Sequence, residues 1–405
     1  MATNQNSKTS QNTTITTTSQ TSKSSSEIIV NNDDLLKQIL LKLPLKSLIK
    51  LTSVSKHWLS LISDPDFSRR RSPFPCSASG LLLRRPYSVH PIVSMPGYNF
   101  VDLNQTNTNA PFRFLTFFDD PYGIEIVQSC NGLLLCSPES CSDAQGYVYN
   151  PTTKKYTVLP PLPRRCQIHC GFSLAFDPSK SLDYKVVCVW RNLDHNYHIE
   201  IYSSKTRTWR LSGDSFDAND TIQFGGGVFW NGAVNWLSFS KHSLYFNVDE
   251  ERLSQMSLPP LPEHWLPNGK LRNLRYFGES HGHLHIINHV NDPTTLELDV
   301  YEMRMDYSGW FVKFRVDYSE FPTAFPEIIP SQLDHQNLDC CLFSVVHIYH
   351  SDVDEESYAV IRIQGKIIRY NFMSKTLDGV CDIENMNVSR SAFYVYQYIE
   401  SLALV

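Results

Sequence analysis

The apolar residues near the start of the chain recur at the spacing of an amphipathic α-helix. Five of them fall at positions i, i+1, i+4, i+5 and i+8, which share one helical face: Leu35, Leu36, Ile39, Leu40 and Leu43. Asn32, Asp33 or Asp34 can cap such a helix at its N-terminus. Pro44 has no amide hydrogen to donate, so the pattern predicts that the helix ends there.

A second stretch with helical spacing follows, and Ser47 is its candidate cap. Its members are Leu48, Leu51, Val54, Ser55, Trp58, Leu61 and Ile62. Asp64-Pro65 is expected to end it. Two or three short helices within about 40 residues are too few to form an independent core by the usual size scaling. The surplus of leucines therefore predicts that this small helical module binds a helical partner.

After residue 72 the pattern changes to alternation with a period of two and to short apolar runs. Examples are residues 132–135, 184–190 and 283–287. Gly, Asn, Asp and Pro separate these runs at short intervals, which is typical of an all-β region, and the pattern continues to Val405.

A recurring phrase organises the β region: an apolar strand with a tyrosine or other aromatic residue, a polar turn, and then an outer strand. Its copies begin at Tyr147, Ile199, Leu244, Leu298 and Ile368, with separations of 52, 45, 54 and 70 residues. A repeat near 50 residues indicates a kelch-like β-propeller, and we expect six blades. Proline-rich segments 159–163 and 258–262 suit the connections between blades. The C-terminal strand at 393–399 is expected to pair with the N-terminal blade and close the ring.

Composition adds a third region and excludes several classes of protein. Of the first 26 residues, 21 are Ser, Thr, Asn or Gln, so residues 1–26 are predicted to be a disordered tail. No run approaches the ~18 apolar residues of a membrane span, and no secretory signal is recognisable. Ten cysteines in 405 residues are too few for a disulfide scaffold. Reduced thiols and a location in the cytoplasm or the nucleus are therefore expected.

Charge is unevenly distributed along the chain. The net charge of −5 argues against binding to nucleic acid or to an anionic membrane. Residues 31–72 carry a net charge of +4 and residues 1–30 of +1, which leaves −10 for the rest of the chain. A basic module is consistent with docking on an acidic partner, although a solvated face of lysines would look the same.

The two regions resemble known families. Residues 34–48 and 54–67 are similar to the two halves of an F-box, and we assign that module to residues 31–72. The chain departs from the F-box pattern at Asn31-Asn32, where the family usually has Leu-Pro. Residues 76–405 resemble the F-box-associated domain of plant F-box proteins. The phrases that carry this resemblance are Ser129-Cys130-Asn131-Gly132-Leu133-Leu134, Tyr149-Asn150-Pro151-Thr152-Thr153, Phe176-Asp177-Pro178 and Gly232-Ala233-Val234-Asn235-Trp236.

The resemblance implies a non-catalytic substrate receptor of an SCF-type (Skp1–cullin–F-box) ubiquitin ligase. Its F-box would bind a Skp1-like adaptor, and through it a cullin, while the propeller would bind an unidentified target protein for ubiquitination. The residues expected to bind the adaptor are Leu35, Leu36, Ile39, Leu40, Leu43, Pro44, Leu45, Leu48, Val54 and Trp58. Trp58 can act either as an adaptor contact or as an internal core residue. No cofactor, metal or catalytic residue is expected.

Two alternatives remain open. In the first, the chain is a metal-binding propeller or an enzyme that uses the histidines between His281 and His289 in its central channel. His281, His283 and His285 would share one face of a strand, which suits zinc or copper. In the second, the departure at Asn31-Asn32 abolishes adaptor docking and leaves an interaction scaffold.

Overall fold

The computed structural model describes Met1 and residues 32–71, 77–85, 95–104, 109–118, 123–138, 145–162, 168–218, 220–239, 242–260, 273–289, 297–325, 343–363, 365–383 and 394–405. Apart from Met1, the predicted tail at 1–26 lies outside these residues, and so does Asn31. So does the side chain of His289. No helix in these segments is long and apolar enough to cross a membrane.

Four short helices form the N-terminal module: α1 (Asp33–Leu41), α2 (Leu45–Leu51), α3 (Lys56–Ile62) and α4 (Pro65–Arg71). The side chain of Asn32 caps α1 by accepting a hydrogen bond from the amide of Leu35 (3.1 Å), as predicted for one of three candidates. The expectation that Ser47 caps the second helix was wrong. Ser47 lies inside α2, because the proline ring at 44 already suits the start of a helix.

The chain also continues as helix beyond Asp64-Pro65, where we expected it to stop. The carboxylate of Asp64 accepts a hydrogen bond from the amide of Asp66 (3.0 Å), and its carbonyl oxygen accepts one from the amide of Ser68 (3.1 Å). Asp64 therefore ends one helix and starts the next, since proline is favoured in the first turn of a helix.

The remainder of the chain forms six sheets arranged as the blades of a β-propeller, as the repeat predicted. Blade 1 contains β1 (Gly80–Arg84), β2 (Tyr98–Asp102) and β23 (Val395–Tyr398). Blade 2 contains β3 (Ile124–Cys130), β4 (Leu133–Pro138), β5 (Tyr147–Asn150) and β6 (Lys155–Val158). Blade 3 contains β7 (Ile168–Ala175), β8 (Lys185–Arg191), β9 (Tyr197–Ser203) and β10 (Thr208–Phe216).

Blade 4 contains β11 (Val228–Trp230), β12 (Ala233–Trp236), β13 (His242–Asn247) and β14 (Arg252–Ser257). Blade 5 contains β15 (Asn273–Ser280), β16 (His283–His289), β17 (Glu297–Met303) and β18 (Trp310–Asp317). Blade 6 contains β19 (Phe343–Tyr349), β20 (Tyr358–Ile363), β21 (Lys366–Asn371) and β22 (Leu377–Asp382), and a short helix, α5 (Phe321–Ala324), precedes it. Neighbouring strands within each blade are antiparallel, and the first strand of blades 2 to 6 is the innermost.

Each copy of the repeated phrase is the hairpin between the third and fourth strands of a blade. In blades 2, 4 and 6 an asparagine ends the third strand, and its side-chain oxygen accepts hydrogen bonds from the two amides that follow in the turn: Asn150, Asn247 and Asn371. The turn then ends on a residue with positive φ, such as Lys154 (58°) or Lys375 (56°). This conformation is common in short hairpin loops and explains the recurring polar turn.

The C-terminal strand closes the ring. β23 pairs with β1, with Tyr398 opposite Gly80 and Tyr396 opposite Leu82. The rings of Tyr398 and Phe100 pack edge to face, with centroids 5.5 Å apart. The last and first described strands of the propeller therefore lie in one sheet, as the sequence predicted.

The apolar core lies between adjacent blades. Blades 3 and 4 share a cluster that includes Val187, Phe224 and Trp236, and blades 5 and 6 share a larger one. The cysteines within the described segments form no disulfide bonds with one another: Cys130, Cys136, Cys170, Cys188 and Cys381. Burial raises the pKa of the Cys136 thiol, so it packs as a small neutral side chain.

Candidate functional site

The helical module has a compact core of its own, which takes up four of the residues predicted to contact the adaptor. Its buried members are Leu36, Leu40, Leu45, Leu48, Leu61, Ile62 and Phe67. Leu40 and Leu48 have no exposed surface at all. The apolar spacing found these residues, but it does not distinguish a side chain in the core from one that faces a partner. Their role in the module is therefore to hold the helices together.

A second set of apolar side chains in the module faces outward. Leu35 is 38% exposed, Ile39 41%, Val54 59% and Leu59 46%. Leu35 and Ile39 lie one turn apart on α1, and Leu59 lies on α3. Val54 lies in the turn that precedes α3. We call these four residues the docking face. Leu59 was missed by the sequence analysis, because the phase of α3 depends on where its cap lies.

Polar contacts hold the helices that carry the docking face. The ammonium group of Lys37 lies 2.8 Å from a carboxylate oxygen of Asp64, and this hydrogen bond raises the pKa of Lys37 and lowers that of Asp64. The Ser55 hydroxyl caps α3 by accepting a hydrogen bond from the amide of Trp58 (3.1 Å). Trp58 itself is half-buried and packs on the core. Leu43 is also half-buried, and Pro44 is exposed.

Exposed lysines belong to the same helices and the turns between them. Lys42, Lys46, Lys50 and Lys56 are all exposed. The net charge of +4 found in residues 31–72 is therefore displayed on the surface of the module. A partner with acidic residues around an apolar patch would complement this arrangement.

The propeller has two faces that differ in their relation to the module. The innermost strands all run in the same direction, and we call the face where they begin the upper face and the face where they end the lower face. β1 begins at the lower face, because its first residue, Gly80, is paired with Tyr398 at the end of β23. The chain therefore passes from the module into the propeller at the lower face. Leu402, which follows β23, packs against the core of the module. The module thus lies beside the lower face.

A central channel of about 550 Å³ runs between the innermost strands. Residues that line it include Glu125, Gln128, Tyr276, Glu279, His347 and Gln397. Glu125 forms an ion pair with Arg84 (2.6 Å). Burial raises the pKa of Glu279 to about 7, although the amide of Gly282 donates to its carboxylate (2.7 Å) and opposes this shift. Burial lowers the pKa of His347 to about 3, so that imidazole is neutral.

The structure places the predicted histidine cluster outside this channel, which corrects the sequence hypothesis. β16 is the second strand of blade 5, and β15 is the innermost. His281 also does not share a face with His283 and His285. It lies in the hairpin turn with a φ of 50°, and its ring contacts Ser77 (3.0 Å) and Asp352 (3.3 Å).

His283 and His285 instead meet two residues that the sequence analysis did not single out. His283 Nδ1 lies 2.8 Å from an oxygen of Glu302 on β17, and the His283 ring stacks on that of His350 (3.8 Å between centroids). Burial disfavours ionisation of Glu302, but the hydrogen bond from His283 and the nearby imidazole of His285 outweigh it and lower the pKa of Glu302. Burial lowers the pKa of His285, and it lowers that of His350 to about 3.

Comparison with known proteins finds one matching family for the helical module and another for the propeller. Residues 32–70 match the F-box domain family, and residues 88–403 match the family of F-box associated beta propeller domains. An F-box protein of Arabidopsis thaliana is 37% identical over 398 residues, which cover 91% of each chain. An F-box/kelch-repeat protein of the same plant is 28% identical over 240 residues, which cover 55% of this chain and 59% of that protein.

Similarity to a solved structure is weaker. The structure of TolB from Acinetobacter baumannii aligns with 82% of this chain and with 69% of the TolB chain, at 8% identity and a TM-score of 0.42. The family matches cover most of the chain and coincide with the helical module and the propeller. The chain therefore belongs to the F-box proteins that carry an F-box associated β-propeller.

Proposed function

We propose that this chain is the substrate-recognition subunit of an SCF-type ubiquitin ligase. In this proposal the docking face binds a Skp1-like adaptor, which connects the chain to a cullin in the cytoplasm or the nucleus. The propeller holds the target protein, and other subunits transfer ubiquitin. The observation that carries the proposal is that four apolar side chains remain exposed on a module whose core is already complete. Membership of the F-box proteins supports a receptor role of this kind in general.

The upper face of the propeller is the proposed target-binding surface. The module lies beside the lower face, so the upper face is open to a large partner while an adaptor is bound. Apolar side chains exposed near the upper face include Ile168, 51% exposed, and Leu193, 81% exposed. Tyr394, 45% exposed, lies at the upper mouth of the channel, where the guanidinium group of Arg84 stacks on its ring (5.1 Å). Tyrosine is among the residues that most often anchor protein interfaces.

The adaptor half of the proposal is tested with the double substitution Leu35→Asp/Ile39→Asp in the full chain. Both side chains are partly exposed, so the fold is expected to persist, whereas two carboxylates would lie in an apolar interface. We expect affinity for a purified Skp1-like adaptor to fall at least about a hundredfold by calorimetry. Leu193→Asp is the matched control, because it adds a charge on the propeller, and it should bind the adaptor normally.

Two results would contradict this assignment. One is unchanged adaptor affinity in a folded Leu35→Asp/Ile39→Asp protein, and the other is an equal loss in Leu193→Asp. A wild-type chain that captures targets but does not bind the adaptor would instead favour the scaffold alternative.

The target half is tested separately by proximity labelling in plant cells. Ile168→Asp/Leu193→Asp on the upper face should remove a defined set of labelled proteins. Met305→Asp, at a 60% exposed position on the lower face, should retain that set. If the lower-face substitution alone removes it, the target binds elsewhere.

A further inference from the structure

Three side chains from two blades converge at a buried point between blades 5 and 6. His285 comes from β16, Glu302 from β17, and His350 directly follows β19. His285 Nε2 lies 3.7 Å from Glu302 Oε2, and His350 Nδ1 lies 3.8 Å from the same oxygen. The two imidazole nitrogens are 3.2 Å apart. His285 is fully buried, His350 is 5% exposed and Glu302 is 8% exposed.

These three distances have the size expected around a metal ion. A triangle with such sides has its centre about 2.1 Å from each corner, which matches the bond lengths of zinc to imidazole nitrogen and carboxylate oxygen. Two imidazoles and one carboxylate are also a common zinc donor set with a fourth position left open. His283 is a less suitable ligand together with His350. Their rings are parallel within 2° and stacked, so their lone pairs cannot point at a shared ion.

The site also contains polar atoms that lack hydrogen-bond partners. Glu302 Oε2 and His285 Nδ1 are buried, and neither has a partner within hydrogen-bond distance. The other oxygen of Glu302 is held by His283. A buried carboxylate oxygen without a donor is unfavourable, since it has given up its hydration. A cation bound between Glu302, His285 and His350 would compensate for this lost hydration.

We propose that His285, Glu302 and His350 bind one zinc ion, which links blade 5 to blade 6. His283 is a positioning residue, because its hydrogen bond orients the carboxylate of Glu302 so that Oε2 faces the two imidazoles. Its ring is partly exposed and stacks on that of His350. This proposal is independent of adaptor binding and concerns the rigidity of the propeller.

The test uses the full chain, stripped with a chelator and then dialysed against zinc. Metal analysis should find one zinc bound through this site, and chelator competition should show at least tenfold weaker binding in Glu302→Gln. Glutamine keeps the shape and can still accept the hydrogen bond from His283. His281→Ala is the matched control, because His281 is a neighbouring histidine outside the triad. Thermal unfolding of the stripped wild type should shift upward on adding zinc, and that of Glu302→Gln should shift less.

Cobalt substitution separates this site from cysteine thiols. Cobalt bound by nitrogen and oxygen should give weak visible absorption without a sulfur-to-cobalt charge-transfer band. A folded wild type that retains no zinc overturns the proposal, and this outcome does not depend on any variant folding. Equal zinc affinity in Glu302→Gln, or a spectrum dominated by thiolate ligands, overturns it as well.

Discussion

The helical module and the propeller both bury leucine, isoleucine and aromatic side chains, but they differ in where these side chains pack. The module places seven buried apolar residues in one small cluster and leaves its docking face exposed. The propeller buries apolar side chains between successive blades and joins its last described strand to its first. Pairing of β23 with β1 completes the first blade of the ring, whereas a four-helix module of this size has too little interior for all its apolar residues. The module therefore presents apolar surface that suits a partner, whereas the blades of the propeller stabilise one another.

Opening the ring should have the largest effect on this contrast. Deleting residues 394–405 removes β23 and exposes the edge of β1. It also removes the buried side chains of Tyr396 and Tyr398. We expect a loss of stability above about 5 kcal/mol, comparable to the stability of a whole domain, and aggregation during purification. Light scattering and thermal unfolding measure this. A monomeric protein with a wild-type melting temperature would show that closure contributes little.

A cavity in the core of the module should have a smaller and local effect. Leu40→Ala removes a fully buried side chain and should cost about 2–5 kcal/mol. Hydrogen exchange should show faster exchange in α1 to α4 and unchanged exchange in the blades. Leu35→Ala is the matched variant on the docking face, where we expect less than about 1 kcal/mol. Equal destabilisation by both would show that the core and the docking face are not distinct.

The repeated asparagine turns allow a finer comparison within the propeller. The amide group of Asn150 donates to the carbonyl oxygens of Ser401 (3.0 Å) and Ala403 (2.8 Å), so this turn also fixes the segment after β23. The side-chain contacts of Asn247 lie within its own turn. Asn150→Ala is expected to cost about 2–3 kcal/mol and Asn247→Ala about 1 kcal/mol by chemical denaturation. A reversed order would contradict the assigned role of Asn150.

A further effect, which depends on pH, is expected at Glu279 in the channel. Its pKa is raised to about 7 in the folded protein, so the folded state binds more protons than the unfolded state between about pH 4.5 and 7. Stability should therefore fall as the pH rises through this window. Glu279→Gln should be more stable than the wild type by about 1–2 kcal/mol at pH 8. This is less than the full pKa shift would give, because part of the carboxyl faces the channel. The difference should vanish below about pH 4.5, and a difference independent of pH would contradict this cause.

Much of this architecture could be predicted from local patterns. The period of the apolar residues placed the helices before the strands, and the repeated phrase marked five of the hairpins that form the outer parts of blades. Both depend on residues close in sequence, such as Asn247 and the two amides that follow it. Two boundary errors in the module have a local cause as well, since Pro44 and Asp64-Pro65 suit both the end of one helix and the start of the next.

The sequence by itself determined the order of the two regions, the propeller repeat and the expectation of a partner for the helical module. Only the tertiary structure decided that Leu36 and Leu40 face inward while Leu35 and Ile39 face outward, because helical phase depends on how α1 packs against α3 and α4. It also moved the histidines away from the channel and brought His350 to His285 across 65 residues. Such contacts arise from the packing of neighbouring blades, and no spacing within a single strand encodes them.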